Sequence, residues 1–338
     1  MTAHTDQSGT AAKAPLVHIG YHKTGSTWFQ QCLFNRADAG YCQTPDRNVI
    51  PEQLVLPRAL EFDAGEAARH FAPLLDEGRA NNATPVVSHE RLSGNPHSGG
   101  YDSKEVAQRI ATVFPNARIL IVIREQRSMI ASTYKQFVRE GGAVSVRRYL
   151  HPAPSGRFRV PLFTFAYFEY HRLIQLYQEL FGADRVCVIP FEAFRKDSMA
   201  VCKQICDFTG DSMPDVIHSE RRNVGMGGLS MAVQRRTNFL FSRDTVNPAA
   251  PLHSVLITGG LRRLMRVVDR VGQSTLGSWI DGRMKSVIRE CIGDRYRESN
   301  ARTSALIGTD LSQFGYDMAA PATNAAPKNT ASLEVSTT

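Results

Sequence analysis

Short, continuously apolar runs alternate along the chain with longer segments whose apolar residues recur every three or four positions. The strongest run, residues 117–123, is apolar at nearly every position, which is typical of a strand buried on both faces. Shorter runs predict further strands at residues 16–19, 39–44, 84–90 and 185–190. Helical spacing predicts helices at residues 65–78, 102–114, 126–139 and 165–181. Strands that alternate with helices favour a parallel sheet covered on both faces.

The two ends of the chain differ in composition from the middle. Residues 1–13 and 319–338 are small and polar, so we predict disordered tails there. Residues 197–316 are mostly helical in pattern. We therefore predict one α/β domain over residues 14–318, with a P-loop-like three-layer αβα arrangement, a central and mostly parallel sheet, and a helical C-terminal part.

One segment near the N-terminus combines a strand, a turn and a helix start. The turn runs from Gly20 to Gly25 and contains Lys23, and Ser26 and Thr27 open the helix. Backbone N–H groups of such a turn converge with the unpaired N–H groups of the first helical turn, where the helix dipole adds roughly half a positive charge. The segment therefore predicts an anion-binding loop.

The position of the lysine distinguishes this loop from the ordinary P-loop. A Walker A motif, G-x-x-x-x-G-K-[ST], has its lysine after the second glycine, whereas Lys23 lies before Gly25 and Ser26 occupies the lysine position. The order His-Lys-Thr-Gly-Ser-Thr-Trp at residues 22–28 instead resembles the 5′-phosphosulfate loop of sulfotransferases, P-K-T/S-G-T/S-T/S-W. His22 stands where that family usually has proline.

A second polar constellation follows the strongest strand. Arg124 ends this strand at its carboxyl edge, where α/β sheets bind ligands. One face of the next helix carries four polar residues, Ser128, Ser132, Lys135 and Arg139. Arg124, Ser132 and Tyr134 resemble the sulfotransferase 3′-phosphate motif R-x-P-x-x-x-x-x-S-x-Y, with Gln126 in place of proline. The alternative is a solvated helix face flanked by an arginine.

The resemblance, to bacterial and carbohydrate-type sulfotransferases, implies a donor and a set of residues that bind it. The donor is 3′-phosphoadenosine 5′-phosphosulfate (PAPS), which gives its sulfuryl group to an acceptor hydroxyl or amine and leaves as PAP. Lys23 would neutralise the leaving phosphate oxygen. The donor-binding residues would be Lys23, Thr24, Gly25, Ser26, Thr27 and Trp28, with Arg124 and Ser132 at the 3′-phosphate. No metal is required, since a sulfuryl group carries less charge than a terminal phosphoryl group, and the family likeness favours a saccharide acceptor.

The end of the predicted strand 84–90 supplies two candidate catalytic bases. Ser88-His89-Glu90 resembles the S-x-E segment of related sulfotransferases, which makes Glu90 the first candidate. His89 is the second, because cytosolic small-molecule sulfotransferases use a histidine near this strand end. Side chains alternate along a strand, so only one of the two can face the donor.

The amino-acid composition limits the classes of partner that suit the protein. The formal net charge of +8 and the pI near 9.3 suit an anionic ligand. They suit nucleic acid as well, but the basic residues are spread along the chain without a recognised motif, and we predict no nucleic-acid partner. The six cysteines show no C-x-x-C pair, which favours reduced thiols and a cytoplasmic location. The alternative function is that of a P-loop nucleotide or small-molecule kinase, against which the displaced lysine argues.

Two segments leave alternatives open. Residues 261–271 have an apolar arc and an arginine-rich arc, which is typical of a peripheral contact with an anionic membrane and also of a surface helix packed on the core. For the basic segment 220–225, the two alternatives are a lid over a nucleotide and a solvated turn.

Overall fold

A computed structural model of the protein describes residues 12–44, 46–152, 162–214, 225–241, 251–252, 254, 259–260, 264 and 275–319. The predicted tails lie almost entirely outside these residues, as do the basic segment up to residue 224 and all of the predicted helix 261–271 except Leu264. No helix within the described ranges is long and apolar enough to cross a bilayer.

Five parallel strands form the central sheet. They are β1 (Leu16–His18), β2 (Tyr41–Gln43), β3 (Thr84–Ser88), β4 (Arg118–Ile123) and β5 (Val186–Pro190). Their spatial order is β2-β3-β1-β4-β5, so β1 lies between β3 and β4. The chain thus crosses over β1 on its way from β3 to β4, and the carboxyl ends of β3, β1 and β4 meet at one switch point, where α/β sheets bind ligands.

Twelve α-helices accompany the sheet within the described ranges. They are α1 (Ser26–Cys32), α2 (Val49–Leu54), α3 (Ala64–Ala80), α4 (Ser103–Val113), α5 (Gln126–Arg139), α6 (Val146–Leu150), α7 (Tyr170–Phe181), α8 (Phe191–Lys196), α9 (Ser198–Thr209), α10 (Gly228–Phe241), α11 (Thr275–Ile292) and α12 (Arg297–Ile307).

Alternate residues of the strands supply two cores, one on each face of the sheet. Along β4, Ile119 and Ile121 join the larger core, to which α3, α4, α5, α7 and α11 contribute, whereas Leu120 and Val122 join a smaller core with α1 and α9. This burial on both faces is why β4 is continuously apolar. The three-layer fold with a parallel sheet, as predicted from the sequence, is confirmed.

Two local predictions differ from the structure. The helix predicted over 165–181 is divided into a 3-10 turn, Phe165–Phe168, and α7, because Glu169 between them has a non-helical ψ of 76°. The region between residues 45 and 63, without a predicted element, contains α2.

Candidate active site

The turn between β1 and α1 has two residues in the left-handed region of backbone conformation. Gly25, directly before α1, has φ +86°, and Lys23 has φ +68°, which is rare for a residue with a side chain. Such a conformation costs on the order of 1 kcal/mol and is typical of functional loops. No side chain caps the N-terminus of α1, so its first N–H groups point into the turn without a side-chain partner.

The hydroxyl groups of the turn face inwards. Thr24 is fully buried and its Oγ1 donates to the carbonyl of Tyr21 at 2.5 Å, which closes the turn. Ser26 Oγ is also buried and has no hydrogen-bond partner among the described residues. Thr27 is half-buried. The turn therefore offers an incoming ligand the backbone of Thr24 and not its hydroxyl.

A buried polar chain supports the floor of the turn. His18 at the end of β1 shares a hydrogen bond between its Nδ1 and Ser88 Oγ (2.8 Å), and Gln30 of α1 donates to the same Oγ (2.9 Å) and to the Ser88 carbonyl (3.1 Å). Burial lowers the pKa of His18 to about 3, so the ring is neutral. These contacts fix β1, β3 and α1 to one another directly below Lys23.

Arg124 connects the two segments that the sequence singled out. Its Nη1 donates to the backbone carbonyl of Lys23 at 3.0 Å, and its Nε donates to Ser128 Oγ at 3.0 Å. The guanidinium also lies over the ring of Phe191, with 5.2 Å between Cζ and the ring centroid. Burial lowers the pKa of Arg124 from its ordinary value, and nearby Glu192 opposes that shift. The structure thus brings Lys23 and Arg124, far apart in the sequence, into one site.

The other residues of the second motif occupy different surroundings. Ser132 is half-buried and lies one turn after Ser128 on α5. Tyr134 is buried, and its hydroxyl donates to the carbonyl of Val144 at 2.8 Å. Lys135 pairs with Asp281 of α11 at 2.9 Å, so this part of the polar helix face is packed and not simply solvated. Of these three, Ser132 lies one helical turn after Ser128, the residue that accepts a hydrogen bond from Arg124.

Trp28 lies on the other side of the turn. It is half-buried, and its ring meets the edge of Phe194 with 4.8 Å between the centroids. Together with Phe191 and Phe194 of α8, it gives the site an aromatic wall next to Arg124. Aromatic faces of this kind can stack on a planar ligand.

The two candidate bases at the end of β3 are held differently. His89 caps the next 3-10 turn, because its Nδ1 accepts the backbone N–H of Arg91 at 3.1 Å. Burial lowers the pKa of His89, so the ring is neutral. Glu90 keeps about a third of its side chain exposed, at 36%, and lies 3.5 Å from the guanidinium of Arg47. Of the two, only Glu90 presents a charged group at the mouth of the site.

Glu90 is ionised at neutral pH. Partial burial pushes the pKa of Glu90 upwards, yet His89, a backbone N–H, His22 and Arg47 outweigh that effect and hold the pKa below its ordinary value. The same carboxylate interacts electrostatically with the ammonium group of Lys23. Desolvation by the surrounding protein, followed by the charges of Arg139 and Arg124, lowers the pKa of Lys23, and Glu90 raises it.

Tyr170 and Glu192 escaped the sequence interpretation of the site, and Ser128 was recognised only as part of a polar helix face. Ser128 bonds Arg124, Tyr170 donates its hydroxyl to the Arg124 carbonyl at 2.6 Å, and Glu192 accepts the backbone N–H of Glu125 at 3.1 Å. The sequence had placed Ser128 on the polar face of the helix that follows Arg124. Glu192 carried a weak signal, because it follows β5 at the same sheet edge. Among the described residues, no three His, Cys, Asp or Glu side chains are grouped as a metal site would need.

Comparisons with known proteins bear on the family and the fold. Residues 104–215 match the model of a family described as the sulfotransferase family, and the matched range contains Arg124 and Ser132. No curated protein sequence resembles the chain closely enough to count as a match.

Several solved structures resemble the chain. The sulfotransferase from Alicyclobacillus acidocaldarius superposes with a TM-score of 0.50 at 18% identity, over 90% of this chain and 99% of that chain. The sulfotransferase domain from the curacin biosynthetic pathway gives a TM-score of 0.40 at 13% identity, over 91% and 99% of the two chains. The sulfotransferase domain from the olefin synthase of Synechococcus PCC 7002 gives a TM-score of 0.34 at 15% identity, over 76% of this chain and 97% of that chain. The chain therefore has the fold of the Alicyclobacillus sulfotransferase, and its residues 104–215 match the sulfotransferase family.

Proposed function

We propose that the protein is a PAPS-dependent sulfotransferase, which moves a sulfuryl group to an acceptor hydroxyl or amine and releases PAP. The observation that carries the proposal is the hydrogen bond from Arg124 to the Lys23 carbonyl. It holds the Arg124 guanidinium against the backbone of the turn that carries Lys23, and the charge of Arg124 also contributes to the lowered pKa of the Lys23 ammonium group. Two cationic groups held in this way suit one ligand with two separate anionic groups, such as the 5′-phosphosulfate and the 3′-phosphate of PAPS.

In this proposal the turn and α1 bind the 5′ side of the donor. The backbone of Thr24–Thr27 receives the 5′-phosphate, with Gly25 left-handed so that the chain can close around it. Trp28 stands beside the adenosine part of the donor. Lys23 neutralises the charge that develops on the leaving phosphate oxygen, which is where electrostatic stabilisation of the transition state counts most.

The 3′-phosphate is assigned to Arg124 and Ser132. Arg124 is already oriented by Ser128 and by the Lys23 carbonyl, so little conformational entropy remains to be lost when the phosphate binds. Ser132 lies one helical turn further along the same face and can complete the contact.

Glu90 is proposed as the general base. The acceptor oxygen attacks the sulfur atom, the bond from sulfur to the 5′-phosphate oxygen breaks, and the acceptor proton passes to the Glu90 carboxylate. An ionised carboxylate beside Lys23 is in the right protonation state for this step at neutral pH. His89 is less suited, because its Nδ1 is occupied by the N–H of Arg91.

For the acceptor we propose a hydroxyl-bearing saccharide, and for the location the cytoplasm. The acceptor rests on the likeness of the motifs at residues 22–28 and 124–134 to bacterial and carbohydrate-type sulfotransferases. The location rests on the six cysteines, which show no C-x-x-C pair. No metal takes part in the proposed transfer.

Calorimetric titration with PAP tests the proposal. PAP should bind equally well in magnesium and in EDTA, and ATP should bind more weakly than PAP. Arg124→Ala should lose about 1.5–3 kcal/mol of PAP binding, the value of a charge-assisted hydrogen bond to a phosphate. Adenosine 5′-phosphosulfate, which lacks the 3′-phosphate, should hardly lose affinity. An absolute need for magnesium together with turnover of ATP would show a kinase instead.

A further inference from the structure

The peptide group between Arg124 and Glu125 is held on both of its polar sides. Its carbonyl oxygen accepts the hydroxyl of Tyr170 from α7 at 2.6 Å, and its N–H donates to Oε1 of Glu192 from α8 at 3.1 Å. A peptide group with both polar atoms bonded to side chains of different elements cannot rotate without breaking two hydrogen bonds. The direction in which the Arg124 side chain leaves the backbone is thereby fixed.

Glu192 is in turn held by the C-terminal part of the chain. Its Oε2 accepts the hydroxyl of Tyr316 at 3.3 Å, and Tyr316 is almost completely buried, at 4% exposure. Burial raises the pKa of Glu192, and the hydrogen bonds from the Glu125 N–H and the Tyr316 hydroxyl oppose this shift. The Tyr316 hydroxyl is thus a side-chain group that holds the Glu192 carboxylate by a hydrogen bond.

The residue after Tyr316 fastens the tail to the same end of α5. The Asp317 carboxylate pairs with Arg127 at 2.7 Å and with Arg297 of α12 at 3.3 Å. The Asp317 carbonyl accepts the side-chain amide of Asn300 at 2.9 Å. The segment 316–317 is thus a fixed part of the structure beside Arg124, although it lies at the end of the described chain.

We propose that Tyr316 and Asp317 are positioning residues for the anion-binding Arg124, which act through Glu192 and Arg127 on the Arg124–Glu125 peptide and the start of α5. The C-terminal segment then sets how well the site distinguishes a nucleotide with a 3′-phosphate from one without. This inference rests on the proposed function, in which Arg124 receives that phosphate.

The test compares PAP with adenosine 5′-monophosphate (AMP), which lacks the 3′-phosphate, by calorimetry. Tyr316→Phe keeps the buried ring and removes only the hydroxyl. Because one hydrogen bond of the positioning chain is lost, PAP should bind about 3- to 10-fold more weakly, while the affinity for AMP stays at the wild-type value. Asp317→Asn, which keeps the shape and removes the charge that pairs with Arg127, should shift the PAP-to-AMP ratio in the same direction.

Tyr41→Phe is the matched control. Tyr41 is equally buried, but its hydroxyl bonds Thr209 Oγ1 (2.8 Å) at the β2 edge of the sheet, away from Arg124. It should lower thermal stability without changing the PAP-to-AMP ratio. Both variants could weaken PAP binding and AMP binding equally, or leave both affinities unchanged. In either case the two residues are merely structural and the inference is wrong.

PAP and AMP binding by the wild-type protein distinguishes a failure of this inference from a failure of the proposed function. A wild-type protein that prefers PAP to AMP, together with variants that keep this preference, overturns only the positioning role. A wild-type protein without that preference overturns the assignment of the 3′-phosphate to Arg124, and the positioning role with it.

Discussion

A single methyl group added at Gly20 should damage both the stability and the ligand binding of the site. The β-carbon of an alanine there would lie 2.6 Å from Nε2 of His18 and 3.2 Å from both Ser26 Oγ and Thr24 Oγ1. Real β-carbons do not approach other heavy atoms to 2.6 Å, so His18 or the backbone must move.

The surroundings of His18 leave little room for that movement. His18 is fully buried, bonded to Ser88, and flanked by the rings of Phe29 and Phe34 at centroid distances of 5.7 and 5.6 Å. An extra methyl group in such a packed interior costs about 1–3 kcal/mol. Gly20→Ala should therefore lower the free energy of unfolding by that amount. It should also weaken PAP binding, because the displaced neighbours belong to the turn that carries Lys23.

Urea unfolding and calorimetry with PAP measure the two effects, and Gly282→Ala is the matched control. Gly282 lies inside α11, and a β-carbon there would meet no atom within 4 Å. Alanine should stabilise that helix by about 0.5–1 kcal/mol and leave PAP binding unchanged. A Gly20→Ala protein with wild-type stability and wild-type PAP affinity would refute the close packing of His18 against Gly20.

Three further experiments address the chemistry of the site. Glu90→Gln should lower kcat by about 10²–10⁴, the usual contribution of a general base, with unchanged PAP affinity. His89→Ala should lower kcat less. A larger loss of kcat in His89→Ala than in Glu90→Gln would make His89 the base. Lys23→Ala should reduce kcat far more than PAP affinity, and an equal loss in both would show that Lys23 only binds. Burial holds the pKa of His18 at about 3 and that of His22 at about 4, so these rings stay neutral while the unfolded chain takes up protons near its ordinary pKa of 6.5. The free energy of unfolding should therefore fall as the pH drops from about 6.5 towards about 4, by up to ~1.4 kcal/mol per pH unit for each ring, and a flat profile in urea unfolding between pH 7 and 5 would contradict this.

Local patterns in the sequence were sufficient to predict the sheet and to predict that the two motifs lie close together in the fold. The apolar run of β4 predicts a strand covered on both faces, and parallel strands have their carboxyl ends at one edge. Lys23, Glu90 and Arg124 each follow such a strand end. Their placement around one switch point therefore follows from the strand pattern alone, once the sheet is parallel.

The contacts that orient these residues could not be predicted in the same way. The groups that fix the Arg124–Glu125 peptide and its partner Glu192 come from positions 46, 67 and 124 residues apart along the chain. They depend on how α7, α8 and the C-terminal segment pack, and no short-range pattern records that packing. The inward direction of the Thr24 hydroxyl is of the same kind, because it follows from the left-handed backbone at Lys23.

The hydrogen bond between Arg124 and Lys23 has a consequence for the evolution of such proteins. Its acceptor is a backbone carbonyl, which every amino acid at position 23 would also possess. If the site binds a nucleotide as proposed, the assembly of its pocket is therefore independent of the side chain that is proposed to drive the reaction. One substitution at this position can abolish catalysis and leave the pocket intact. A lineage of inactive nucleotide-binding descendants is thus a single mutational step from the active protein.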